Sequence, residues 1–268
     1  MDEIKIKTMD IELPTWDLSE IYENIDDPNI ELDIKKIKEL SEDFSIQWKG
    51  KIKDLNASEF LNCIEKYQNI SEKIYKIGTH SNLIFATNME DPEISRYNAS
   101  VSDKLTEISS LLVFFTLELS KLDDETVGEW TKGTNSSKWL PYLTILRKKN
   151  DYLLDPLVEQ ILIEKSATGR SAWVRLFDET SAALRFPFKK EMLSEAEILN
   201  LLSDPNPENR KLAGKSLSEV LENNKRILGM ILNVISRDRY IEDNKRGFKG
   251  IVSSRNLDND VEDEVVNT

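Results

Sequence analysis

Histidine and cysteine each occur once in this 268-residue chain, as His80 and Cys63. A lone cysteine cannot close an intrachain disulfide, which suits a reducing cytoplasm. A lone histidine can serve a Ser-His-Asp or Cys-His site only once, and a zinc site with two histidine ligands cannot be assembled from these residues. Glycine and proline are scarce, at 9 and 8 residues, so tight turns are few and a helical protein is expected. No run approaches the ~20 consecutive apolar residues of a membrane-spanning helix. The opening MDEIKIKTMDIELP lacks the apolar centre of a secretory signal. Basic residues are outnumbered, 36 Lys plus Arg against 49 Asp plus Glu, for a net charge of −13. Duplex nucleic acid demands a positive face, so neither a nucleic-acid partner nor a membrane is expected. Walker and G-x-G-x-x-G loops are absent, as is the D-x-D-x-D-G calcium pattern.

What is present reads as an all-α, multi-helix array. Residues 1–12 are expected to be extended or mobile. Leu13 to Ser19, with Trp16, is expected to pin the N-terminus to the body of the fold. Asp27-Pro28 reads as N-cap and first helical residue. Ile30, Ile34, Ile37, Leu40 or Ser41, Phe44 and Trp48 follow at helical spacing. Two long helices come next. The first has Ser58 as expected cap and runs from Glu59 to Met89. The second starts at Asp91-Pro92 and runs through Leu122. Each measures about 45 Å, and a joint as short as Glu90-Asp91-Pro92 makes them an antiparallel hairpin.

Shorter helices are expected from Asp123 through Trp130, from Trp139-Leu140-Pro141 to Lys149, and from Asp155-Pro156 to Gly169. A core helix capped by Ser171 spans the GRSAWVRLFDETSAAL stretch, with Arg175 and Glu179 placed to pair. It stops before Phe186-Pro187. The only β element expected is a strand pair near 185–192. Ser194 to Glu197 has the form of a capping box, and Asn206-Pro207 opens another long helix. Lys245 to Gly250 reads as a glycine-flanked loop, with Ser253 to Asn256 after it. A last short helix is capped by Asn259 and carries Val261, Val265 and Val266 on one face. A helix that short needs somewhere to bury its apolar side, so the chain is expected to be the first part of a longer protein.

His80 and Cys63 read as core residues. The acidic cluster Asp258, Asp260, Glu262, Asp263 and Glu264 reads as a solvated helix start favoured by the macrodipole. Arg246, Gly247 and Phe248, with Arg255 and Asn256, are the candidate substrate or loop contacts. Glycine permits unusual backbone angles and each arginine can anchor a carboxylate or carbonyl. The alternative is that both arginines tie loops to neighbouring helices.

Several stretches, in order, resemble the oligoendopeptidase F family of zinc metallopeptidases. They are LPTWDLSEIY from Leu13, FFTLEL from Phe114, GRSAWVRLFDE from Gly169, PENRKLA from Pro207, Ile231-Leu232-Asn233 with Asp238, RGF at Arg246 and SSRNL at Ser253. The resemblance implies a helical fold around a deep cleft that admits oligopeptides. It also implies zinc held by H-E-x-x-H on a helix, with the glutamate activating water. No H-E-x-x-H occurs here, so no catalytic or metal residue carries over, and zinc is expected only in a full-length parent. Phe248 stands where the family pattern leads us to expect tyrosine, and Tyr152 near where it leads us to expect histidine.

The expected organisation is an N-terminal segment with the hairpin over 1–124, an oligoendopeptidase F N-terminal-type helical region over 125–204, and the incomplete start of the catalytic domain over 205–268. The expected function is that of a non-catalytic wall of a peptidase cleft, inactive alone. Its partner is then the missing C-terminal catalytic half. The alternative is a freestanding helical binding or scaffold protein that buries its open face by self-association.

Overall fold

The computed structural model describes residues 16–133 and 135–268. The stretch read as extended at 1–12, and Leu13 to Thr15 of the family-like opening, lie outside them. Helix α1 is Pro28–Trp48. Asp27 caps it by accepting the Asn29 N–H, and Ile30, Ile34, Ile37, Ser41, Phe44 and Trp48 are buried. Helices α2, Ala57–Thr87, and α3, Pro92–Ser120, form the hairpin. Asn56, rather than Ser58, caps α2. Its side chain accepts the Ser58 and Glu59 N–H groups while Glu59 reaches back to its own N–H. That reciprocal pair satisfies two orphan donors, which Ser58 could not do from inside the first turn. The antiparallel course shows in cross-hairpin pairs such as His80 with Tyr97 and Ser81 with Asn98.

Helices α1, α2 and α3 enclose the main core, joined by α4, Asp124–Trp130, and α5, Leu140–Lys148. Phe44 and Tyr67 close on Phe115, and Phe60 stacks on Trp130 with centroids 4.4 Å apart. Trp16 pins nothing: it is 85% exposed. Tyr22 is the anchor instead. Its hydroxyl donates to Asp33 at 2.8 Å and its ring meets His80 edge-on.

Helix α6, Pro156–Ser166, packs on α3, and α7, Arg170–Ala183, packs on α9, Pro207–Arg246. Strands β1, Phe186–Phe188, and β2, Glu191–Leu193, pair antiparallel with Phe186 opposite Leu193. Helix α8, Glu195–Asn200, follows the expected Ser194–Glu197 capping box. Phe186, Phe188, Ile198 and Ala213 form a second, small core. Arg185 pairs with Glu90, tying it to the hairpin turn. The chain ends through α10, Ser253–Asp258, and α11, Asp263–Asn267. The described residues are thus all-α apart from one short hairpin.

Two readings change in this half. Ser171 is not a cap. Thr168 and Gly169 N–H groups bond back to Lys165 and Ser166, and the Gly169 carbonyl accepts from Ala172 and Trp173. The chain therefore turns at Gly169, and Ser171 already lies in the first turn of α7. Nor is α7 a core helix, since none of its residues is buried. It packs mainly on α9, with a smaller contact to α6, and leaves Phe177 47% exposed. No helix among the described residues is long and apolar enough to cross a membrane.

Candidate functional site

The candidate residues sit where α9 ends. Lys245 and Arg246 belong to its last turn rather than to a loop, and Gly247 terminates it in the left-handed region at φ 86°. The Phe248 N–H returns to the Asp243 carbonyl at 3.0 Å, a Schellman closure that favours glycine at position 247. This aims Phe248 at Tyr152. The two rings lie 3.9 Å apart and nearly parallel, at 4°. The two positions that depart from the family pattern therefore meet each other.

Arg246 is fully engaged. Its Nη1 and Nη2 donate to the two Glu159 carboxylate oxygens at 2.5 and 2.9 Å, and its Nε donates to Glu242 at 2.8 Å. Nη1 also reaches the Tyr152 carbonyl at 3.2 Å. Glu159 is the only buried residue of α6 and also accepts the Leu154 N–H at 2.8 Å. Burial by itself pushes the Glu159 carboxyl up, but the Arg246 guanidinium and the Leu154 N–H outweigh it and hold the group below the usual carboxylate range. A guanidinium with both faces of its fork occupied has no donor left for a substrate carboxylate. Arg246 thus ties α9 to α6, which is the alternative weighed above for the arginines.

Arg255 differs. It is exposed on α10 and makes no ion pair among the described residues. Asn256 is buried, and its amide donates to Asp263 Oδ1 at 2.8 Å. Ser253 to Asn256 form helix rather than loop because Ser254 and Asn256 find partners inside: Arg239 donates to the Ser254 hydroxyl at 3.1 Å. Asn259 ends α10 instead of starting a helix, and Glu262 precedes α11. The acidic cluster is partly paired. Lys149 meets Asp258 at 2.7 Å and Lys148 meets Asp260 at 2.6 Å, while Asp263 takes Ser253 and Asn256. Between these elements lies a cleft of about 260 Å³ lined by Tyr152, Arg239, Arg246, Phe248, Ser254 and Leu257.

Sequence reasoning missed Glu159, Arg239 and Ser254. None of the three carried a local signal: Glu159 lies one position past the capping-box spacing from Asp155 and accepts the Leu154 N–H instead of the N-cap N–H. The other titratable candidates are closed to a substrate. Cys63 is buried and its thiol is pushed up to about 12 by desolvation, while His80 is buried between Tyr22 and Tyr97. Among the described residues no group of three or more His, Cys, Asp or Glu side chains could hold a metal ion. The described residues do not by themselves supply a zinc ligand set.

Comparison with known proteins follows this geometry. Residues 118–186 match the oligopeptidase F family model. The resemblance read from the sequence is matched over that stretch, from the end of α3 to the first residue of β1. Oligoendopeptidase-F from Enterococcus faecium, a solved structure, superposes at a TM-score of 0.78 with 19% identity, over 89% of this chain and 48% of its own. A protein assigned as a peptidase from Chlamydophila abortus superposes at 0.56 with 14% identity, over 96% of this chain and 44% of its own. These likenesses show the fold, and this chain spans about half the length of either structure. No curated protein matches the chain.

Proposed function

We propose that this chain is the non-catalytic N-terminal portion of a zinc-dependent oligoendopeptidase that cuts internal bonds of short peptides in the cytoplasm, and that it forms one wall of the substrate cleft. The observation that carries this reading is the contrast in burial beyond α5. α7 buries nothing, α6 buries only a carboxylate, and the forty residues of α9 bury only Ala213, Ser216 and Ile231. Leu157, Phe177, Met230, Leu232 and Val265 are left exposed. Helices this open gain little from packing and call for a covering element. The fold is shared with about half of a longer oligoendopeptidase-F, so the cover we assign is the other, catalytic half. That half would hold the zinc and the water-activating carboxylate, and residues from 205 onward would be the start of its domain. Oligopeptides would reach this chain only through the complete enzyme.

The test begins with the reading frame after the Thr268 codon. A frame running on to H-E-x-x-H is expected. The extended protein should cleave a quenched fluorescent oligopeptide and lose that activity to a zinc chelator, while residues 1–268 alone do not cleave it. Hydrolysis by residues 1–268 alone would sink the proposal. So would a stop codon with no such motif nearby, and a stable dimer of residues 1–268 would then point to the self-associating scaffold.

A further inference from the structure

We infer that residues 16–27 form an acid-released strap, held against the hairpin by the neutral form of His80. The ring of His80 is completely buried. Three elements close around it. Tyr22 of the strap meets it edge-on at 5.2 Å, and Tyr97 of α3 places its hydroxyl 3.0 Å from Nδ1. His80 itself comes from α2, whose neighbouring residues Ile77 and Ser81 are also buried. Nε2 is buried with no hydrogen-bond partner. In the neutral ring one nitrogen carries a proton and the other does not, so a single good partner at Nδ1 nearly satisfies it. The imidazolium carries a proton on both nitrogens. It would add a charge and a second donor at Nε2, which has no hydrogen-bond partner and no carboxylate in contact.

The charged surroundings do not relieve this. Asp27 on the strap, Asp33 and Glu31 on α1, and Lys76 on α2 lie around the site, with Tyr22 and Tyr97 as the titratable phenols. None of the carboxylates forms an ion pair with the imidazole. Asp33 is occupied by the Tyr22 hydroxyl, Glu31 by Lys104, and Lys76 sits over the Tyr22 ring at 4.6 Å. Burial, the largest cause, pulls the His80 imidazole below its ordinary value, while the Tyr22 backbone and Asp27 pull the other way.

The strap is the element that must yield. Helices α2 and α3 share many buried residues of the main core, whereas the strap contributes one buried side chain, Tyr22, and carries an exposed Trp16. Moving Tyr22 aside lets water reach the ring at the smallest loss of packing. The sign follows from linkage: a histidine whose folded value lies below its unfolded 6.5 favours the closed strap fully above that pH. The preference is lost as pH falls from there through the folded value, and it is flat below both. This inference concerns the hairpin end and is independent of any catalytic half.

His80 is the only histidine, so its ring Hε1 gives a single NMR signal that titrates without assignment by mutation. That signal should be followed from pH 8 to pH 4.5 beside pulsed amide exchange of residues 17–27. The expected result is an imidazole midpoint below 6.5. Strap exchange, corrected for its intrinsic pH dependence, should rise by up to about tenfold per pH unit from 6.5 down to the same midpoint and level off below it. Amides of α2 between 60 and 77 should stay protected. His80→Gln, neutral at every pH, should hold the strap shut across the range. Strap protection that ignores the imidazole transition would overturn the inference, as would an acid release that persists in His80→Gln. If that variant does not fold, agreement or disagreement of the two wild-type midpoints decides the matter.

Discussion

The hairpin half and the half beyond α5 are built from similar helices but held together differently. In the first, α1, α2 and α3 bury continuous apolar stripes and aromatic side chains close on one another. In the second, the only fully buried apolar groups are the few around β1 and α8, together with Ile231, and the far end of α9 is fastened by polar locks. Arg246 grips Glu159, Lys148 and Lys149 grip Asp260 and Asp258, and Arg239 grips Ser254. Apolar burial is insensitive to partner identity and tolerates repacking. A buried fork between guanidinium and carboxylate fails if either member is lost. The first half thus rests on apolar packing, while the second relies on polar pairs and leaves much of its apolar surface uncovered.

The largest effects should separate the halves by core truncation. Phe115→Ala removes a fully buried ring and should cost about 3–5 kcal/mol in urea unfolding. Phe177→Ala in α7, already half exposed, should cost no more than about 1 kcal/mol. Equal costs would erase the distinction. Next in size is the lock. Arg246→Ala leaves Glu159 buried without its partner and should cost about 3–5 kcal/mol, with amide exchange rising around residues 150–160 and 247–258 while the hairpin stays protected. Acid should mimic it: the depressed Glu159 carboxyl contributes stability that is present above about 4.5 and lost as pH falls through its folded value. That loss begins below about 4.5, whereas release of the strap begins below 6.5, so exchange at Leu154 should start to rise after exchange at Tyr22 as pH falls. Smallest is Gly229→Ala. Gly229 lies inside α9 with nothing within 4 Å of an added Cβ, so the variant should raise stability by about 0.5–1 kcal/mol, read as a higher melting temperature.

The difference between the halves also explains what could be read from the residues. In α1 the stripe from Ile30 to Trp48 forecast burial correctly because a neighbour covers it. In α7 an equally regular stripe forecast burial and was only partly covered. Periodicity reports that a face is apolar, not that anything lies against it. The caps of α1, α3, α8 and α9 were legible because Asp-Pro, Asn-Pro and Ser-x-x-Glu act within one turn. Helix α10 was not, since Ser-Ser-Arg-Asn has weak helical preference and is held by side chains from elsewhere. The lock was hidden for the same reason. Glu159 and Arg246 are 87 positions apart, and nothing local marks them as partners. Tyr152 and Phe248 each stood out against the family pattern, yet only the fold shows that one is stacked on the other.

Helix α9 is forty residues long, about 60 Å from end to end. Its first turns are seated in the small core through Ala213 and its last turn is bolted to α6 through Arg246. Clamped at both tips, it acts as a lever arm. A rod of about 60 Å converts each degree of tilt at one tip into about 1 Å of travel at the other. Motion of the small β hairpin and the cleft beside Phe248 would then be one movement seen from opposite ends.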